Sequence, residues 1–196
     1  MLLLRVSDIM HAGAEIPSVA ETALVRDAEI PLGSGRGKIG VTFAPGKNDG
    51  ESFGGSWARD LDKDLDAIAA WGAKVVVTLL EQRELGSLAI TGLGDGVERR
   101  GMEWLHLPIP DVGTPGPDSA AEWREASKRL RSRLDAGDNI LVHCRGGVGR
   151  AGMIAARLLV ETGVNPDDAM SRVRSVRPGA IETGAQEQWV RTGPRA

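Results

Sequence analysis

The only cysteine of the chain, Cys144, stands in a glycine-rich stretch between an apolar run and a helical pattern, and Arg150 closes that stretch. The backbone N–H groups of such a loop can converge on one point, to which a following helix adds its unpaired donors and its positive end. This setting favours the thiolate, the form of cysteine that acts as a nucleophile, and the planar guanidinium of Arg150 can bind two phosphate oxygens together. These residue types predict attack of Cys144 on phosphorus and a covalent cysteinyl-phosphate intermediate.

The loop residues after the cysteine form the predicted anion-binding set, because glycine allows positive φ angles and close approach of the main chain to an anion. This set is Arg145, Gly146, Gly147, Val148, Gly149 and Arg150. A buried structural cysteine is one alternative interpretation, and a Cys–His protease that uses His143 is another. The glycines together with Arg150 favour the phosphate-binding interpretation over both.

The pattern His-Cys-x5-Arg, which runs from His143 to Arg150, resembles the signature loop of the cysteine-dependent protein tyrosine and dual-specificity phosphatases. Segments 106–115, 146–150 and 179–181 resemble most the kinase-associated phosphatase branch, and the similarity extends over roughly residues 39–190. The resemblance implies hydrolysis of phosphotyrosine, with phosphoserine and phosphothreonine as further candidates. It also implies that His143 stiffens the loop from the end of its strand.

A proton donor for the leaving oxygen is expected on a loop upstream of the cysteine, as in these phosphatases. Asp111 fits this layout, because it lies near the start of a surface loop dense in proline and glycine. The alternative for Asp111 is a turn residue whose side chain caps the backbone. Asp118 is the next candidate acid, but it directly precedes a predicted capping box from Ser119 to Glu122.

Two further positions follow from the resemblance. Gln186 is similar to the glutamine that positions the hydrolytic water, and Glu182 stands where many relatives carry glutamine. A capping box that begins at Thr183 is the alternative interpretation of Gln186. Ala151 replaces the serine or threonine that usually follows the arginine and donates to the cysteine sulfur, so we expect slow breakdown of the intermediate.

Two other functions remain open at this point. A phosphatase acting on phosphoinositides or another small phosphate would be expected to carry more cations in the loop, where only Arg145 is available. Ala151 and Glu182 leave room for a phosphate-binding interaction module with weak turnover. Phosphate, sulfate, vanadate and tungstate are the expected ligands of the loop.

Composition agrees with a cytoplasmic enzyme, and no cofactor is predicted. The net charge of −3 and the pI near 5.7 offer nothing that would attract nucleic acid or an anionic membrane. A single cysteine excludes an intramolecular disulfide and suits a reducing compartment. The apolar start of the chain is interrupted at Asp8, too early for a signal peptide or a membrane span. His11 and His106 are isolated, so no metal site is predicted.

The elements that must position these residues alternate between strands and helices. Predicted strands cover 39–44, 74–80, 103–107 and 139–142, and predicted helices cover 57–71, 81–88, 93–101, 119–136, 149–162, 165–177 and 184–190. This alternation predicts an α/β fold with a mostly parallel sheet flanked by helices, and its ligand at the carboxyl ends of the strands. We divide the chain into an N-terminal arm packed on the core, residues 1–37, and a phosphatase domain, residues 38–196.

Overall fold

Strand β7 (Asn139–His143) lies at the centre of a five-stranded sheet, in a computed structural model that describes residues 28–52 and 55–194. The strand order is β1-β2-β7-β5-β6, in which the other members are β1 (Glu29–Pro31), β2 (Lys38–Thr42), β5 (Ala73–Thr78) and β6 (Glu103–His106). Strand β1 pairs antiparallel with β2, and the remaining neighbours are parallel. The predicted, mostly parallel sheet is confirmed.

Helices cover the two faces of this sheet. They are α1 (Leu61–Ala70), α2 (Gln82–Ser87), α3 (Leu93–Arg99), α4 (Ala120–Asp135), α5 (Gly149–Glu161), α6 (Pro166–Val176) and α7 (Gly184–Thr192). Side chains alternate along each strand, so Val75 and Val77 join one buried cluster while Val76 joins the other. The first cluster packs against α4 to α7 and the second against α1 to α3. Burial on both faces therefore fixes the position of each strand end.

One predicted helix start and one predicted capping box are wrong. Helix α1 begins at Leu61 because the Asp60 side chain accepts from the N–H of Lys63, and part of the preceding segment forms a hairpin of β3 (Asn48–Ser52) and β4 (Gly55–Ala58). The capping box predicted at Ser119 is absent, since its hydroxyl donates to the Gly116 carbonyl within a turn of 3-10 helix.

Residues 28–31 of the predicted N-terminal arm belong to the segment that adds β1 to the sheet edge, while residues 1–27 lie outside the described part of the chain. The division at residue 37 stays a prediction. Among residues 28–52 and 55–194, no helix is both long and apolar enough to cross a membrane.

Candidate active site

The candidate site lies where β7 ends and α5 begins, and residues 144–150 between them are called the phosphate loop below. Cys144 opens the loop at the carboxyl end of the central strand, as a free thiol that is 3% exposed. Helix α5 is almost wholly buried, so its N-terminus and the positive end of its dipole are held firmly against the loop. The backbone thus places a thiol at a position that favours an anion.

The conformation of the phosphate loop depends on Gly147. Its φ of 67° lies in the left-handed region, and an added Cβ would lie 2.4 Å from the backbone carbon of Thr42. The Arg177 guanidinium donates to the carbonyls of Gly147 (2.9 Å) and Gly146 (2.8 Å) on the outer side of the loop. Within the described residues no N–H of residues 145–148 donates a hydrogen bond, so these donors remain available to an oxyanion.

Arg150 is almost completely buried, with 2% of its surface exposed, and several hydrogen-bond acceptors hold its guanidinium in place. Its Nη1 donates to Glu84 Oε2 (2.7 Å) and to the Ile109 carbonyl (3.0 Å), and its Nη2 donates to Glu84 Oε1 (2.9 Å). Nη2 also lies 2.9 Å from Asp111 Oδ1. Burial opposes the charge, but Glu84, Cys144 and Asp111 together raise the pKa of Arg150. The guanidinium is therefore charged and preorganised beside the thiol.

Glu84 is a site residue that the sequence interpretation missed. It lies in α2, directly after β5, and β5 is the neighbour of β7 in the sheet. Burial raises the pKa of Glu84, but hydrogen bonds from Arg150 and from the Glu81 N–H outweigh this and hold it below its ordinary value. The signal available in the sequence was a carboxylate just after a buried strand, at the sheet edge where a buried arginine needs a counter-charge.

Glu84→Gln is expected to lower kcat/KM by roughly 10- to 100-fold and the free energy of unfolding by about 1–3 kcal/mol, because Arg150 loses a charge-assisted pair. The folded-state pKa of Glu84 is depressed, so its stabilisation is present above about pH 4.3 and is lost as the pH falls further. Urea unfolding at pH 7 and below pH 4 checks this. The difference in the free energy of unfolding between wild type and Glu84→Gln should be smaller below pH 4 than at pH 7.

Glu81→Gln is the matched control for this experiment, since Glu81 precedes the same helix and pairs with Arg83, which is 78% exposed. Surface pairs of this kind contribute little to stability. Equal losses in the Glu81 and Glu84 variants would contradict a specific role for the Arg150–Glu84 pair.

Asp111 occupies a turn on the loop of residues 108–116, called the acid loop below. The Gly113 N–H donates to the Pro110 carbonyl (2.9 Å), and Val112 adopts a φ of 52° at the turn. The Asp111 side chain is 64% exposed and its carboxylate contacts Arg150. An accessible carboxylate thus lies at the guanidinium that would bind the phosphate oxygens.

Gln186 connects the acid loop to the C-terminal segment. It is fully buried, its Nε2 donates to the Gly113 carbonyl (3.2 Å), and its Oε1 accepts from the Glu182 N–H (2.9 Å). One half of the predicted capping box of α7 is present, since Thr183 Oγ1 accepts from the N–H of Gln186 (3.2 Å), but the Gln186 side chain binds the Glu182 N–H instead of that of Thr183. Glu182 Oε2 would lie 2.1 Å from a Cβ added to Gly149, so its carboxylate sits against the start of α5. Gln186, 3.1 Å from the same added Cβ, therefore adjoins both loops, and Glu182 adjoins the phosphate loop.

Arg145 lies at the mouth of the phosphate loop. Its Nη2 is 2.7 Å from Asp49 Oδ2, the same oxygen that lies 3.8 Å from Lys47 Nζ. A cleft of about 400 Å³ opens beside it, lined by Arg83, Glu84, Ser87, Asp111 and Arg145. The cleft shares Glu84 and Asp111 with the contacts of Arg150, so a bound group could extend from the phosphate loop into it.

His143 and Ala151 flank the loop on its buried side, and both are fully buried. His143 Nε2 lies 2.8 Å from Thr78 Oγ1. Burial lowers the pKa of His143 to about 3, against a contact with the Cys144 backbone that raises it. His143 is therefore neutral near pH 7 and occupied by a structural contact, unlike the base of a Cys–His protease. In the described ranges, no group of three His, Cys, Asp or Glu side chains is arranged to hold a metal.

Comparison with known families gives one model match over most of the chain. A model described as "Swiss Army Knife protein, DSP-PTPase phosphatase domain" matches residues 54–190, a range that contains both loops and Gln186. Cyclin-dependent kinase inhibitor 3 of Rattus norvegicus is 33% identical over 135 residues, which are 67% of this chain and 62% of that protein. The chain thus spans less than two thirds of the length of such curated relatives.

Solved structures show the same similarity. A crystal structure of kinase associated phosphatase, with its catalytic site cysteine substituted by serine, has a TM-score of 0.68 and 27% identity, covering 78% of this chain and 83% of that one. The active form of Tk-PTP has a TM-score of 0.59 and 31% identity, with 79% and 88% of the two chains covered.

Proposed function

Because the chain belongs to the DSP-PTPase phosphatase family, we propose that it is a protein phosphatase that hydrolyses phosphotyrosine, and also phosphoserine and phosphothreonine, through a cysteinyl-phosphate. One observation carries the proposal: Arg150 is buried at the end of a loop opened by Cys144 and is held by Glu84, with Asp111 2.9 Å from its Nη2. Nucleophile, phosphate clamp and acid therefore converge, which is the minimum that the reaction requires.

The first step transfers the phosphoryl group to sulfur. The Cys144 thiolate attacks phosphorus as the ester O–P bond breaks, while Arg150 and the free N–H groups of the loop bind the non-bridging oxygens. Asp111 in its protonated form gives its proton to the leaving oxygen, so the alcohol or phenol departs neutral.

The second step returns the phosphoryl group to water. Water attacks phosphorus, the S–P bond breaks, and the Asp111 carboxylate accepts the proton of the water. We assign Gln186 to positioning that water. Its amide already holds Gly113 and Glu182, so this role requires the Gln186–Gly113 hydrogen bond to open as the acid loop moves. Ala151 has no hydroxyl that could donate to the sulfur, so breaking of the S–P bond is the expected slow step.

Charge at the cleft supports protein substrates over phosphoinositides. The two cations that line it, Arg83 and Arg145, are each paired with a carboxylate, from Glu81 and Asp49 respectively. A headgroup with several phosphates requires unneutralised cations around the loop, whereas one phosphorylated side chain requires Arg150 alone. Cytoplasmic location, and the absence of nucleic acid or membrane partners, stay part of the proposal.

A rapid-quench assay with three substrates tests the function. We expect phosphate to be released faster from a phosphotyrosine peptide than from a phosphoinositide or from a simple alkyl ester such as glycerol phosphate. The dephosphorylated peptide should appear in a burst, because phosphoenzyme accumulates before phosphate is released. Acid-quenched protein should carry phosphate on the peptide that contains Cys144, as read by mass spectrometry. Preference for the phosphoinositide would replace the proposed substrate class, and a chain that binds tungstate without turnover would be a binding module.

A further inference from the structure

Asp49, near the start of the β3–β4 hairpin, faces two cations at the mouth of the phosphate loop. Its Oδ2 lies 2.7 Å from Arg145 Nη2 and 3.8 Å from Lys47 Nζ. Lys47 is buried, the Asp49 side chain is 11% exposed and the Arg145 side chain is 37% exposed. A single carboxylate oxygen therefore contacts both a buried ammonium group and a guanidinium that reaches the solvent.

Backbone hydrogen bonds fix the segment that leads to Asp49. The Ala44 N–H donates to the Arg145 carbonyl (3.4 Å), and the Asn48 N–H donates to the Leu88 carbonyl (3.3 Å) at the end of α2. Helix α2 also carries the carboxylate partner of the phosphate-binding arginine. The position of the Asp49 carboxylate is therefore set by the same elements that form the active site.

The same point would attract an anion if Asp49 carried no charge. Among the described residues, the Arg145 guanidinium hydrogen-bonds to Asp49 alone. Burial lowers the pKa of Lys47, Asp49 opposes this effect, and the charge of Arg145 adds to it. Arg145 and Lys47 thus repel each other, and the carboxylate offsets that repulsion. Without its charge, two cations would be directed at one position, an arrangement that favours a phosphate group.

This position bears on selectivity because Arg145 directly follows Cys144 in the chain and lines the same cleft as Asp111. A phosphorylated side chain at the phosphate loop brings its neighbouring residues to this cleft, and each residue of an extended peptide spans at most about 3.6 Å. A second phosphate on those residues meets the Asp49 carboxylate, which already holds Arg145 and repels another anion. Specificity can be built in this way, from a group that disfavours the wrong ligand.

We propose that Asp49 is a specificity-determining residue: it occupies a second anion site at Arg145 and Lys47, and so restricts the site to phosphorylated side chains without a second phosphate beside them. This inference deepens the function proposed above and rests on it. The exclusion of a second phosphate is a property of binding, however, so it can be measured whether or not the chain hydrolyses phosphate esters.

Two peptides of identical sequence test the proposal. One carries phosphotyrosine alone, and the other also carries a non-hydrolysable phosphonate analogue of phosphoserine two residues away, so that phosphate release reports on the tyrosine only. In wild type we expect the ratio of kcat/KM, doubly to singly charged peptide, to be one or lower. In Asp49→Asn, which keeps the shape of the side chain, the ratio should rise about tenfold, the effect of one charge-assisted hydrogen bond. Adding Arg145→Gln to that variant should return the ratio to the wild-type value.

Calorimetric binding of both peptides to Cys144→Ser, with and without Asp49→Asn, gives the same comparison without turnover. About tenfold tighter binding of the doubly charged peptide by the Asp49 variant, in a chain that hydrolyses neither peptide, would support the exclusion and reject the phosphatase. Hydrolysis of both peptides with an unchanged ratio in Asp49→Asn would overturn the exclusion and leave the phosphatase standing.

Asp167→Asn is the matched control, because Asp167 pairs with Arg191 at the same distance of 2.7 Å and does not line the cleft. The substitution changes the net charge equally and should keep the wild-type ratio. An equal rise in both variants would overturn the proposal, since net charge alone would then explain it. If Asp49→Asn does not fold, the wild type decides: a ratio of one or lower supports the proposal, and a preference for the doubly charged peptide overturns it.

Discussion

Cys144→Ser is expected to lower phosphate release by about 10⁴-fold or more while leaving the affinity for a phosphotyrosine peptide within a few-fold of wild type. A serine hydroxyl is much less acidic than a thiol and stays protonated at neutral pH, so it is a far weaker nucleophile in the same loop. Binding should persist because the groups proposed to bind the oxyanion are Arg150, which Glu84 holds in place, and backbone N–H groups, none of which the substitution removes.

Phosphate release and calorimetric binding, measured on the same preparation, separate these two effects. The variant should show no burst and no phosphorylated protein after acid quench. Residual turnover above about 1% would mean that water attacks the ester directly and that Cys144 is not the nucleophile. Loss of binding together with activity would instead indicate a collapsed phosphate loop.

The phosphate loop could be predicted from sequence because all its parts are contiguous. An apolar strand, a cysteine, three glycines and an arginine before a helical pattern determine the local geometry without reference to the rest of the fold. The helix cap at Thr183 was predictable for the same reason, since it contacts only its own helix. Local contacts and short spacings therefore carried this part of the prediction.

The supporting residues could not be predicted in the same way. Glu84 reaches Arg150 and Thr78 reaches His143 only because β5 lies beside β7, an order that the sequence pattern does not determine. Arg177 is remote from the loop in sequence, yet it binds the loop carbonyls because α6 ends beside them. The β3–β4 hairpin was not predicted because its sequence lacks the alternation of β-branched and polar residues that indicates a strand.

Asp111→Asn is expected to lower kcat/KM for a phosphotyrosine peptide by roughly 10²- to 10⁴-fold, because kcat/KM reports the transfer to Cys144, in which the phenolate then departs without a proton. The loss should be much smaller for an aryl phosphate whose leaving group is already acidic. Rates across a series of aryl phosphates check this, because the rate of the variant should depend more steeply on the pKa of the leaving group than the rate of wild type.

Asp118→Asn is the matched control, because Asp118 is an exposed carboxylate in the 3-10 turn that follows the acid loop. It should leave the leaving-group dependence as in wild type. If Asp118→Asn, and not Asp111→Asn, steepened that dependence, the assignment of the acid would pass to Asp118.

The ion pair with Arg150 adds a second, opposite effect to the Asp111 variant. Asp111 Oδ1 lies 2.9 Å from Arg150 Nη2, so a phosphate oxygen that approaches this atom must compete with the carboxylate. Asparagine removes the competing charge, and tungstate should therefore inhibit Asp111→Asn at concentrations several-fold lower than wild type. Tighter oxyanion binding together with slower turnover is the combination expected of a general acid that forms an ion pair with the phosphate-binding arginine. A residue that served only to shape the turn would weaken both.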